Sequence, residues 1–179
     1  MMEANEHKEE RAMEFQHREY PVFELFNDRW ALVTAGTPED FNTMTIGWGS
    51  MGTIWGPPHR GKSVLTVYVS PARYTHSYLE KNEYFTVSFF PEAYRKDLGI
   101  LGSRSGRDGD KVALTELTPV AVEHGVDYAQ AELTFVCKKL YSHQFELERV
   151  PRDVADWIYT RVPPHTMYIG EIVEVVDRT

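Results

Sequence analysis

From position 30 onward the chain alternates between apolar and polar residues in short blocks, and the period of that alternation marks out the elements. WALVTAG (30–36) reads as an apolar strand ending at glycine. FNTMTIGWGSM (41–51) alternates well enough for a second strand, and KSVLTVYVS (62–70) is β-branched and aromatic, as a strand should be. RYTHSYLEKN (73–82) predicts a short helix and EYFTVSFF (83–90) another strand. Pro91 suits a first helical turn and starts a helix through EAYRKDLGIL. GSRSGRDGDK (102–111) is a polar, glycine-rich loop. YAQAELTFVCKKLYSHQFELE (128–148) reads as one long strand or a hairpin, PRDVADWIYTR (151–161) as a helix, and HTMYIGEIVEVV (165–176) as the last strand. Residues 1–19 are charged and weakly periodic, an arm or a short helix. The expected organisation is therefore an arm over 1–21 and one domain over 22–179. The expected fold is mainly β: six or seven strands with short helical insertions suggest a closed antiparallel barrel, since closure removes sheet edges.

Composition narrows the chemistry. The 179 residues suffice for one domain with a real core, and 13% are aromatic, so the interior is rich in rings. The formal net charge of -8 argues against nucleic acid or an anionic membrane as partner. The single cysteine, Cys137, excludes a disulfide framework and a thiolate zinc site within one chain, and reads as an inert core residue. None of the seven histidines lie three or four apart, so no helical metal pair exists and no metal site is expected. There is no long apolar run and no signal peptide, which fits a reducing cytoplasm.

Gly47-x-Gly49-x-x-Gly52 has the spacing of a dinucleotide-binding fingerprint. That fingerprint works only between a strand and a helix, and the residues that follow, Thr53-Ile54-Trp55-Gly56-Pro57-Pro58, forbid a helix. The alternative is a strand whose glycines let backbone approach something else.

Three polar clusters interrupt the barrel pattern, each with two readings. Asn42, Thr43, Thr45 and Ser50 are either outward-facing residues of a strand or groups lining a planar ligand, with Trp48 and Trp55 adding ring surface. Arg73, Tyr74 and Thr75 at a helix start are either an ordinary cap with a solvated arginine or a phosphate site. Ser103, Arg104, Ser105, Gly106, Arg107 and Lys111 form either a solvated loop or an anion nest. Taken together, the three point to one phosphorylated, ring-bearing ligand. His165, beside MYIGEI, is either a capping or core histidine or a group pointing at that ligand.

NTMTIGWGSMGTIWGPP, then VYVSPARYTHSYLEKNEYFTVSFFPEAYRKDLGILGSRSGRDGDK, then HTMYIGEIVEVV closely resemble, in that order, the flavin reductase-like, FMN-binding split-barrel family, most of all its flavoredoxin branch. The resemblance spans roughly residues 22–176. It implies a six-stranded Greek-key split barrel and a homodimer with FMN held non-covalently near the dimer interface. It implies a flavin ring along Met44, Thr45, Ile46, Gly47, Trp48, Gly49 and Ser50. The phosphate would lie near Arg73, Tyr74 and Thr75, helped by Ser103, Ser105, Gly106 and Lys111. Gly109 departs from the apolar residue usual in relatives. The activity implied is that of an NAD(P)H-dependent flavin reductase, hydride passing from NADH or NADPH to FMN N5, with His165 the candidate catalytic residue and free flavin or a redox partner protein as acceptor. The alternative is an FMN-bearing electron-transfer protein, reduced by a partner and lacking a nicotinamide site. A third reading is a flavin-binding protein without turnover.

Overall fold

The β-branched and aromatic runs form strands in the structure, a computed structural model that describes residues 15–179. Among the described residues nine strands occur: β1 (Ala31–Thr37), β2 (Asp40–Ile46), β3 (Gly49–Ile54), β4 (Lys62–Val69), β5 (Tyr84–Phe89), β6 (Pro119–Val122), β7 (Gly125–Tyr128), β8 (Leu133–Gln144) and β9 (Thr166–Asp177). Three α-helices join them: α1 (Tyr74–Lys81), α2 (Arg95–Ser103) and α3 (Arg152–Ile158). A π-helical turn, Glu24–Arg29, precedes β1. Of the arm expected over residues 1–21, residues 1–14 lie outside the described residues; Phe15–His17 form a 3-10 turn with Phe15 buried.

Seven strands form one antiparallel sheet in the order β2-β1-β5-β8-β9-β4-β3, and β6 pairs with β7 in a separate hairpin. This corrects the six strands that the family resemblance implies. The single strand expected over 41–51 breaks at Gly47 and Trp48 into β2 and β3, which lie on opposite edges of the sheet. A flat sheet of seven strands would separate its edges by roughly 29 Å, whereas the link from Ile46 to Gly49 reaches at most about 11 Å. The sheet is therefore curled and its edges converge at that corner. No ladder pairs β2 with β3 among the described residues, so a closed barrel goes further than the pairing does.

The curl encloses a core of Ala31, Val33, Met44, Leu65, Val67, Phe85, Phe89, Phe135 and Tyr168, with others. β1 is buried on both faces, because Leu32 points the other way into a second cluster with Phe90, Leu98, Leu101 and Tyr128 under α2 and the β6–β7 hairpin. Burial on two faces explains why WALVTAG reads as a continuous apolar run rather than an alternation. α1 starts directly after Arg73, in an extended conformation with no side-chain cap (φ -86°, ψ 138°), and ends where Asn82 N–H reaches Tyr78 O and Lys139 Nζ donates to the Leu79 and Glu80 carbonyls. Arg73, just before α1, lines a cleft together with Gly47 and Trp48 at the corner where the sheet edges converge.

Candidate functional site

The corner is built by the segment before β1. A Cβ on Gly49 would fall inside the Phe26 ring, so this position demands glycine for packing. A Cβ on Gly47 would sit 3.6 Å from both the Phe26 carbonyl and Trp30 Cδ1. Trp30 holds a backbone conformation that is close to glycine-only, φ 64° and ψ 162°. Arg95 fixes it: its guanidinium carbon stands 3.4 Å from the centre of the Trp30 ring, and its Nη1 donates to the Asp28 carbonyl. The immediate neighbours of the two glycines within the chain are thus Phe26 and Trp30. Sequence reasoning missed both, because only the fold brings residues 26 and 30 against 47 and 49.

On the other side of this corner lies a cleft of about 420 Å³, between the Met44–Trp48 stretch, Ser70–Arg73 and His165. Met44 and Ile46 are buried in the core, and Thr45 Oγ1 donates to Leu98 O at 2.5 Å. The strand therefore offers the cleft mainly its backbone and Trp48. Because β2 and β3 are edge strands, backbone groups on their outer sides are free of ladder bonds. Trp48, 43% exposed, leans on His165 with ring centres 4.7 Å apart, and Tyr159 approaches the same imidazole at 5.7 Å. His165 Nδ1 is buried without a hydrogen-bond partner. Burial, and then the charge of Arg73, lower the pKa of His165. A second, apolar groove of about 660 Å³ shares Gly47, Trp48 and Tyr68 with the first and is edged by Phe23, 91% exposed. Ser50 faces Tyr68, with oxygens 3.4 Å apart.

Arg73 closes one end of the cleft. Its Nη2 donates to Gly102 O, and no carboxylate pairs with it among the described residues. The remaining predicted residues divide. Tyr74, Gly106 and Lys111 line an adjoining cavity of about 480 Å³. Thr75 is buried and its Oγ1 accepts from Asn42 Nδ2 at 2.6 Å. Ser103 Oγ is turned back onto the Gly99 and Ile100 carbonyls of α2. Ser105 Oγ accepts from Arg107 N, and the Arg107 guanidinium lies 4.8 Å from the Tyr74 ring centre.

Lys111 is buried and its Nζ donates to Leu101 O and Arg104 O, at 2.9 and 3.1 Å, at the C-terminal end of α2. Burial, and then Arg73, lower its pKa from 10.5 to about 8. Since the folded chain gives up this proton before the unfolded chain does, the cost of charging the buried amine is fully present below about pH 8 and is relieved between 8 and 10.5. Lys111 should thus make stability rise with pH across that window. Urea unfolding from pH 7.5 to 10.5 checks this, and Lys111→Met should flatten the slope.

Among the described residues no group of three or more His, Cys, Asp or Glu side chains gathers as metal ligands, and no helix is long and apolar enough to cross a membrane. The model of the flavin reductase-like domain family matches residues 23–179. No curated protein matches the chain. Among solved structures, the FMN-binding protein of Thermus thermophilus with bound 1-cyclohex-2-enone aligns at 22% identity and TM-score 0.64, over 90% of this chain and 78% of that one. The flavoredoxin of Desulfovibrio vulgaris aligns at 26% identity and TM-score 0.60, over 83% and 68%. The NADH:FAD oxidoreductase of Streptomyces globisporus C-1027 aligns at 16% identity and TM-score 0.62, over 83% and 74%.

Proposed function

The chain belongs to the flavin reductase-like domain family, and from that premise we propose that it is an FMN-binding oxidoreductase, an NAD(P)H-dependent flavin reductase. The observation that carries this reading is the unbalanced positive end of the cleft. Arg73 has no carboxylate partner among the described residues and stands at a helix start with no side-chain cap, and after burial its charge is the second cause of the lowered pKa of both Lys111 and His165. Such a cluster gains by taking up an anion, and first-turn amides add partial positive charge. The other end of the cleft is ring-lined, and the buried, unpartnered His165 Nδ1 lacks a hydrogen-bonding mate. An anion joined to a flat polar ring system meets both needs, so the residues fit a flavin mononucleotide.

Arg73 and the start of α1 would hold its phosphate, and the Thr45–Ser50 backbone would border its ring. When bound, the flavin supplies the hydride-accepting chemistry and the reduced nicotinamide the hydride. The protein's own part is placement. Lowering of its pKa favours neutral His165, which can hydrogen-bond through Nδ1 without adding charge. Trp48 and Tyr159 flank the imidazole and hold its ring in place. Exposed Phe23 and Trp48 on the apolar groove support a second copy of the chain as its cover, in a two-fold dimer.

Anaerobic mixing of the FMN-loaded protein with NADH and with NADPH tests the enzyme reading. At least one nucleotide should bleach the flavin in a saturable single turnover. His165→Ala should slow that step by roughly 10- to 100-fold, the scale of lost alignment, and leave FMN affinity within twofold. Bleaching by dithionite or a reduced ferredoxin-like protein, but by neither nucleotide, would establish the electron carrier instead, the reading favoured by the 26% identity to a flavoredoxin.

A further inference from the structure

Asn42 lies in β2, is buried, and touches two elements that meet nowhere else through a side-chain amide. Its Nδ2 donates to Thr75 Oγ1 at 2.6 Å, in the first turn of α1. Its Oδ1 lies so close to Gly106 that a Cβ there would overlap it. Gly106 also packs on Tyr74, since the same Cβ would come within 3.1 Å of Tyr74 Cδ1. The turn of residues 105–107 thus meets the start of α1 at Tyr74, through Gly106 and through Arg107, and meets Asn42 of β2 beside it. Burying an amide is costly unless it is bonded, and an apolar residue would fill an ordinary strand position at lower cost. What this amide does that an apolar residue cannot is hydrogen-bond the helix start at Thr75 while packing against Gly106, directly beside Arg73.

We propose that Asn42 is a positioning residue for the recognition of a phosphate monoester: it sets the start of α1, and with it Arg73, against the loop that follows α2. Asn42 acts through Thr75 and Gly106 and does not itself need to touch the anion. The inference rests on the flavin reading of the cleft, with FMN as the phosphate-bearing ligand and riboflavin as the same ring without it.

Fluorescence titrations of FMN and of riboflavin against the full chain test it. In Asn42→Ala and Thr75→Val the FMN dissociation constant should rise tenfold or more, with the riboflavin constant unchanged within twofold. Thr75→Ser keeps the hydroxyl and should restore FMN binding. In Asn42→Asp the threonine can donate to the carboxylate, so the tie survives, but a negative charge now stands beside the anion; FMN should weaken and riboflavin should not. Equal weakening of both ligands, or no weakening of FMN in any variant, overturns the proposal. If Asn42→Ala does not fold, the Thr75→Val and Thr75→Ser pair decides. If the wild-type chain binds riboflavin and FMN equally well, phosphate recognition is absent and the proposal falls while the flavin reading stands. If it binds neither, both fall.

Discussion

Arg178→Ala is expected to destabilise the fold by about 3–5 kcal/mol, the cost of leaving a buried charge without its partner. Asp127 in β7 is fully buried, and its Oδ2 accepts from Arg178 Nη2 at 2.7 Å. The other oxygen accepts from Ser88 Oγ at 3.2 Å and Thr134 Oγ1 at 2.5 Å. One carboxylate therefore pins the β6–β7 hairpin to β5, to β8 and to the segment after β9. Arg178 also donates to Ala131 O, and its amide to Glu132 O. Alanine removes the only cation facing Asp127 among the described residues and leaves two hydroxyls to stabilise it. For a chain of this length the loss corresponds to a drop of roughly 6–20 °C in Tm. Thermal unfolding followed by circular dichroism would measure it. The double variant Arg178→Ala, Asp127→Asn should recover part of the loss, because no charge is then stranded. If Arg178→Ala unfolds within about 2 °C of wild type, the pair contributes little and the hairpin is held by its apolar contacts alone.

The second large effect is on binding. Arg73→Ala should weaken FMN by about 1.5–3 kcal/mol, the range of a hydrogen bond to a charged group, which is roughly a 10- to 150-fold rise in Kd. Riboflavin should bind wild type and variant about equally, since it offers no phosphate. Lys111→Ala should cost less, as two of its three amine protons are already held by the Leu101 and Arg104 carbonyls at the end of α2. The Arg73 side chain also ties α1 to α2 through the Gly102 carbonyl, so the riboflavin titration separates a lost anion contact from a shifted helix. Unchanged FMN affinity in Arg73→Ala would remove Arg73 from the site.

Much of this architecture is legible in the chain, for physical reasons that differ by element. KSVLTVYVS and EYFTVSFF lie deep in the sheet, where β-branched and aromatic side chains pack best, so local preference and tertiary fate agree. The break between β2 and β3 was hidden because the alternation runs on through Gly47 and Trp48, while the reason for the break, the Phe26 ring against Gly49, comes from residues more than 20 positions away. The β6–β7 hairpin was missed because strands of four residues opening on Pro119 look like loop. Arg73 and His165, singled out by type and place, both line the cleft beside Trp48. Thr75, Ser103 and Lys111 match the pattern of a phosphate site; the fold sets Thr75 Oγ1 to accept from Asn42, turns Ser103 Oγ onto α2 carbonyls and commits two of the three Lys111 protons to the Leu101 and Arg104 carbonyls. A sequence lists donors; it does not show which of them the fold has already used.

The conformation of Trp30 bears on how this protein would respond to selection. Only glycine is at ease at φ 64° and ψ 162°, so a screen that rewards heat resistance alone has an inviting target there. Trp30→Gly would relax the backbone and would also withdraw the indole that stands between Arg95 and Gly47. The indole also packs on the second core cluster, so any durability gained there would be the relief of backbone strain less that lost packing, and the ring beside Gly47 would go with it.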